Sequence, residues 1–252
     1  EVGLEVAARM LTDSGLRFTS HCRAGFFTMP EGSARRASLD DNLVAIDETA
    51  TLAAAGASGS TAVLVIVAGG LPEGSRDLVG ARERVRDAIG ELAPHAEAAG
   101  VTLAIEPLHP MFASDRCVVS TLGQALDLAA DFAPETVGVT VDSFHVFWDP
   151  GVYAAIARAG AEGRIAAFQV CDWKTPLPAD VLLSRHLPGE GVIDIAGLTA
   201  AVEHTGYTRD VEVEVFNADV WSRAPEAVVA EVACAFENTV TPWLRPPVDS
   251  RT

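Results

Sequence analysis

Four polar side chains stand at or near the ends of four apolar runs: Glu106 in VTLAIE, Asp142 in VGVTVD, Gln169 in IAAFQV and Glu214 in VEVEVF. Within each run one parity is apolar and the other is small or polar. Val101, Leu103 and Ile105 oppose Thr102, Ala104 and Glu106, and Val137, Val139 and Val141 oppose Gly138, Thr140 and Asp142. Ala166, Phe168 and Val170 oppose Ile165, Ala167 and Gln169, and Val211, Val213 and Val215 oppose Glu212, Glu214 and Phe216. In a closed sheet one parity packs under helices and the other faces the interior, so the four polar groups are aimed at one axis. Carboxylates there must be paired, protonated or bound to metal. None of the four groups is cationic, so the set calls for a cation. An all-oxygen donor set suits Mg2+ or Mn2+, with Co2+ next, rather than a structural Zn2+. Any one of these residues alone reads as a strand-end acid facing water, or as a partner for Arg17 or Lys174. Four on the same parity of four strands favour one divalent metal ion.

The elements that must position them alternate. Helical patterns cover Val2–Ser14, Leu39–Ala55, Asp77–Ala99, Thr121–Phe132, Pro150–Ala159, Ile195–Thr205 and Pro225–Asn238. Strand patterns cover Leu16–Cys22, Thr61–Ala68, Val101–Glu106, Val137–Asp142, Ile165–Cys171 and Val211–Phe216. Gly15, Gly56, Gly100 and Gly206 each stand where a helix stops. A strand–helix repeat of about 30 residues implies parallel βαβ units, in an open doubly wound sheet or a closed (β/α)8 TIM barrel. No GxGxxG follows the first strand and no GxxxxGK[ST] is present, which removes the usual phosphate-loop support for the open sheet. A barrel needs eight strands. The chain starts at Glu1 rather than Met, inside what reads as an amphipathic helix. The expectation is therefore a TIM barrel over residues 1–240, lacking its first one or two strands at the N-terminus, and an irregular tail over 241–252.

Composition narrows the class. Of 252 residues 49% are hydrophobic, and the net charge is −17. This argues against nucleic-acid partners and against adhesion to anionic membranes. No apolar run approaches the roughly 18–20 residues that span a bilayer. The four widely spaced cysteines form neither a disulfide framework nor a zinc knuckle, so a cytoplasmic setting is expected.

The stretches AIEPLHP, VDSFHVFWDP, FQVCDWKTPLP, LPGEGVIDIAGLTAAV and VEVEVFN resemble the xylose-isomerase-like (β/α)8 superfamily, the sugar phosphate isomerase/epimerase group. That family binds one divalent metal through Glu, Asp, His and Glu. The resemblance implies Glu106, Asp142, Gln169 and Glu214 as ligands, with Gln169 departing from the usual His. Amide-oxygen ligation weakens binding and moves preference toward harder ions. The resemblance further implies that Glu106 and Glu214 move a proton next to a carbonyl through an enediolate. His145, in a D-x-x-H pattern, would bind a substrate oxygen or act as a base. It also makes Leu16–Cys22 the third barrel strand.

Further candidates line the expected mouth. His109 follows Glu106 closely, with a turn between prolines as its other reading. Arg116 and Lys174 lie on loops after site strands, where they bind hydroxyls or an anion, or are simply solvated. Trp148 and Trp173 read as pocket walls or core, and His21 as a mouth or core histidine. Glu212 is expected beneath Glu214, bonded to a group around the metal rather than to the ion. Cys117 and Cys171 have no base partner, so no thiol chemistry is expected.

The expected function is a divalent-metal-dependent sugar or polyol isomerase or epimerase. The alternatives are a lyase or dehydratase on the same scaffold, such as a C-glycoside deglycosidase subunit, and a metal-free binding subunit. DNA repair on this fold needs a richer His cluster and a basic groove. A homo-oligomer or a small partner subunit is left open.

Overall fold

The computed structural model describes residues 2–244. Its centre is a parallel sheet of six strands: β1 (His21–Gly25), β2 (Val63–Val67), β3 (Thr102–Glu106), β4 (Val137–Asp142), β5 (Ile165–Val170) and β8 (Val211–Val213). They lie in the order β1-β2-β3-β4-β5-β8, each parallel to its neighbour. Helices α1 (Leu4–Ser14), α2 (Ser33–Ala55), α3 (Leu78–Ala99), α4 (Leu122–Ala129), α6 (Val152–Ala161), α7 (Ile195–His204) and α9 (Pro225–Thr239) separate or flank the strands. Two further helices are single turns, α5 (Ser143–Val146) and α8 (Ala218–Trp221). A hairpin of two short antiparallel strands, β6 (Asp172–Trp173) and β7 (Arg185–His186), rises after β5.

Both faces of β4 and β5 are buried, and the parity read from the sequence separates two apolar layers except at the start of β5, where a register shift places Ile165 in the main cluster and Ala166 in the inner one. Leu103, Ile105, Val139, Val141 and Phe168 are fully buried in the main apolar cluster. On the other face, Ala104, Thr140 and Ala167 form a small-residue layer beneath the acids. Small side chains there leave room for longer polar ones above.

The sheet is curled and open. Strands β1 and β8 are its edges. The expected eight-stranded closure is not formed by the described residues. Side chains link the two edges instead: Arg17 pairs with Asp210, and Ser20 Oγ donates to Glu212 Oε2 at 3.0 Å.

Several boundaries differ from expectation. The first strand begins at His21 rather than Leu16. The segment 16–20 is held by the loop before β2, through Ala57 N to Leu16 O at 2.9 Å and Thr61 N to Phe18 O at 2.8 Å. The ladder to β2 therefore starts only at His21. The last strand ends at Val213 rather than Phe216, because its partner β5 ends at Val170. Helix α2 begins at Ser33, six residues before the expected Leu39. Of the expected irregular tail, Thr241–Trp243 form a 3-10 turn, and residues 245–252 lie outside the described part. Among the described residues no helix is long and apolar enough to cross a membrane.

Candidate active site

The C-terminal strand ends converge on one cavity of about 260 Å3, whose lining includes Glu106, His145, Arg185 and Glu214. Glu106, Asp142 and Gln169 are 4%, 0% and 2% exposed, and the Glu214 side chain is 21% exposed toward the cavity. Register explains the neighbours. Asp142 lies beside Gln169, and Gln169 beside Glu212, on adjacent strands. Paired residues in a ladder share a face, so these three side chains form one inward row.

Asp142 does two things. Its Oδ1 accepts from Phe144 N at 2.8 Å and so caps the turn α5. That turn sets His145 back over the cavity, with its Nε2 3.8 Å from Asp142 Oδ2. One ligand-type atom each from Glu106, Asp142 and His145 lies within 4.8 Å of the others, an arrangement able to hold a metal ion. The imidazole faces donors at both nitrogens: His109 N at 3.1 Å from Nδ1 and Arg185 Nη2 at 2.9 Å from Nε2. Burial, with Arg185 beside it, pushes its pKa down to about 3, so His145 is neutral and can act as an acceptor.

Two oxygens in the cluster have no partner. Glu106 Oε1 and Gln169 Oε1 are buried without a hydrogen bond. An unpaired buried acceptor is costly and points to a missing donor or cation. The Gln169 amide is oriented from its other end, where Nε2 donates to Glu212 Oε2 at 2.9 Å. With the nitrogen held there, the carbonyl oxygen is the atom left free. Unpartnered carboxylate and amide oxygens next to Asp142 are a donor set able to hold a metal ion.

The sequence reading missed the cation already in place. Arg185, 3% exposed, sends Nη1 to Asp142 Oδ2 at 2.9 Å and to Glu214 Oε2 at 2.8 Å. Its guanidinium lies over the rings of Phe144 and Phe216, at 4.7 and 5.0 Å from their centroids. The hairpin β6–β7 delivers it: Arg185 N donates to Phe216 O at 3.2 Å, and Asn217 Nδ2 donates to Arg185 O at 3.0 Å. The one available signal was electrostatic. Strand-end acids needed a positive partner, and Arg185 stands in the long segment between β5 and β8. Also missed was Asp172. Its two oxygens accept from Trp173 N, Ile193 N and Gly189 N, which fixes the turn around Glu190.

The acids respond to this setting. Burial, then repulsion from Asp142 and Glu214, raises the pKa of Glu106 well above the carboxylate range. Burial raises that of Glu214 to about 7 against the pull of Arg185. Cys22, which also lines the cavity, is pushed up by burial and stays a thiol.

The remaining sequence candidates are scattered. Arg116 lines the cavity. His109 does not; its ring packs on Phe147, Trp148 and Trp173, and its Nδ1 accepts from Met111 N at 3.2 Å. Trp148 Nε1 donates to His145 O at 2.8 Å, while Trp173 is 6% exposed and packs on Phe144. His21 Nδ1 meets Thr49 Oγ1 at 3.0 Å, outside the cavity lining. Lys174 lines a separate depression with His186 and Asn217.

Comparison with known proteins places the fold. Protein SMc04130 of Sinorhizobium meliloti 1021 is 45% identical, with a TM-score of 0.87, over 94% of this chain and 83% of that one. An inosose isomerase of Bacillus velezensis is 27% identical over 160 residues, 62% of this chain and 55% of the relative. A 3-dehydroshikimate dehydratase of Pseudomonas aeruginosa is 36% identical over 154 residues, 59% of this chain and 23% of the relative. The chain thus spans about half the length of the isomerase and about a quarter of the dehydratase. Residues 2–237 match the family described as xylose isomerase-like TIM barrel, and the chain belongs to that family.

Proposed function

We propose that this chain is a divalent-metal-dependent isomerase or epimerase of a sugar or polyol, working by proton transfer next to a carbonyl. The observation that carries this reading is the pair of unpartnered buried oxygens, Glu106 Oε1 and Gln169 Oε1, on the strand ends to either side of Asp142, with Glu106 lining the cavity. Glu106, Asp142, Gln169 through Oε1, and Glu214 would hold the ion. Mn2+ or Mg2+ is the expected metal, with Co2+ accepted. A bound ion supplies polarisation of the substrate carbonyl and offsets the charge of the enediolate.

The protein's own groups do the rest. Glu106 ends β3 and Glu214 follows β8, so their carboxyls approach the cavity from two different strands. One would take the proton from the carbon next to the carbonyl, and the other would return a proton on the opposite face. A carboxyl with a pKa near 7, as at Glu214, exchanges protons readily at neutral pH. Neutral His145, whose Nδ1 accepts from His109 N, would carry its proton on Nε2 and donate it to a substrate oxygen. Arg185 would donate to the substrate oxygen while keeping Asp142 and Glu214 in place.

The test is incorporation of solvent deuterium into ketoses and inososes by Mn2+-loaded protein. Exchange should occur for at least one substrate and fall by about 100-fold or more in Glu214→Gln, the low end of what a positioned acid–base group contributes. Full exchange by the variant would refute the proton-transfer role.

One observation favours a second reading. The likeness to 3-dehydroshikimate dehydratase, with a neutral buried His145 at the cavity, fits a lyase that takes the proton next to the carbonyl and expels, as water, the hydroxyl on the following carbon. Its mark would be an unsaturated product rather than an epimer.

A further inference from the structure

We propose that the cavity takes a substrate bearing an oxyanionic group, a carboxylate or a phosphate, held at its rim by Arg23 and Arg116. This deepens the proposed function by naming a substrate class, and it rests on the cavity floor being the reacting end.

The cavity is lined by three arginines, Arg23, Arg116 and Arg185. Arg185 already pairs through Nη1 and Nη2 with Asp142, Glu214 and His145 on the floor. The other two are not. Among the described residues Arg116 has only its chain neighbour Asp115 as an acidic partner, at 3.8 Å. Arg23 lies over the Phe26 ring, 4.6 Å from its centroid, and has no acidic partner among the described residues. The chain has 35 acids for 18 basic residues. On such a surface an arginine facing a cavity with no carboxylate beside it runs against the trend.

Both arginines are placed by backbone, not left on free loops. The register between β1 and β2 shifts between Cys22 and Ala24, so Arg23 has no ladder partner and joins Cys22 in the cavity lining. Such a break re-aims a side chain. Gly25 then locks the strand end. Its φ is +118°, and a Cβ there would meet Val67 O at 1.9 Å. The buried Asn42 clamps the same residue, accepting from Gly25 N at 2.7 Å and donating to Gly25 O at 2.9 Å. Across the mouth, a Cβ on Gly70 would meet Asp115 and Arg116 backbone atoms at 2.4–2.6 Å. The segment carrying Arg116 therefore packs directly on the backbone that follows β2.

The result is a two-ended cavity, acidic and polarising at the floor and doubly cationic at the rim. A guanidinium fork matches a carboxylate or phosphate better than it matches a hydroxyl. A substrate whose carbonyl is at the floor and whose oxyanion is at the rim satisfies both ends. A neutral sugar would leave two guanidinium groups idle.

The test compares three six-carbon probes by calorimetry on Mn2+-loaded full chain at low salt: D-fructose, D-fructuronate and D-fructose 6-phosphate. At least one anion should bind about 10-fold or more tightly than fructose, the range of one charge-assisted contact. The preferred anion identifies the group as carboxylate or phosphate. In the double variant Arg23→Gln/Arg116→Gln the preference should collapse, and added salt should erode it in the wild type. Fructose binding as tightly as both anions, or a preference that survives the double substitution, overturns the proposal. Deuterium exchange without anion preference would sink this inference alone. Anion preference without exchange on any probe would leave the rim site standing and sink the reaction.

Discussion

Gln169 Nε2 donates to Glu212 Oε2 across 2.9 Å, and this bond decides which end of the amide faces the acid cluster. An amide can ligate a cation only through its oxygen. Glu212 is anchored in turn by Ser20 Oγ at 3.0 Å, from the opposite edge of the sheet. Glutamate at 212 accepts only, so it permits one orientation of Gln169. Glu212→Gln permits both. Its affinity for Mn2+ should therefore fall by about 10-fold or more, the usual effect of losing a partner that orients a ligand. Calorimetric titration of both proteins measures it. Unchanged affinity would mean that Gln169 contributes nothing to the ion.

Arg185 is a buried cation between two carboxylates, with 4% of its side chain exposed. Removing one partner of such a set leaves uncompensated charge, at about 3–5 kcal/mol. Arg185→Leu should lose that much unfolding free energy in urea without metal. Saturating Mn2+ should restore part of it, because a second cation then faces Asp142 and Glu214. A loss under about 1 kcal/mol, the ordinary value of an exposed pair, would contradict the arrangement.

The acids predict a pH dependence with an unusual sign. Burial raises the folded-state pKa of Glu214 from 4.5 to about 7, and that of Glu106 in the same direction. Between those values the folded state binds more protons than the unfolded one. Without metal, stability should then decrease as pH rises from about 5 to 7, by at most about 3 kcal/mol for Glu214. With Mn2+ the slope should reverse, because protons compete with the ion. Urea midpoints across this window, with and without Mn2+, measure both slopes. A metal-free protein that gains stability steadily up to pH 7 would contradict the assignment.

Much of this was legible from period-two patterning. The inward row Glu106, Asp142, Gln169 was readable because burial on both faces makes the apolar parity strict and leaves polar residues only where chemistry holds them. Glu212 was readable as a supporting group for the same reason. Arg185 was not, since it comes from an irregular hairpin whose path no periodicity reports. The same limit applies to Arg23. Its place in the cavity comes from a one-residue register break in β1, and the strand itself was read five residues early. His109 and Trp148 stood close in sequence to site residues, yet they pack on one another behind His145. Proximity in sequence does not say which side of a turn faces the cavity.

The most direct test is elemental analysis of wild type and Glu214→Ala after loading with Mn2+ and exhaustive dialysis. The account predicts about one ion per chain in the wild type and none retained by a variant of unchanged circular dichroism. A wild type that retains no divalent ion, or a variant that retains a full one, would contradict it.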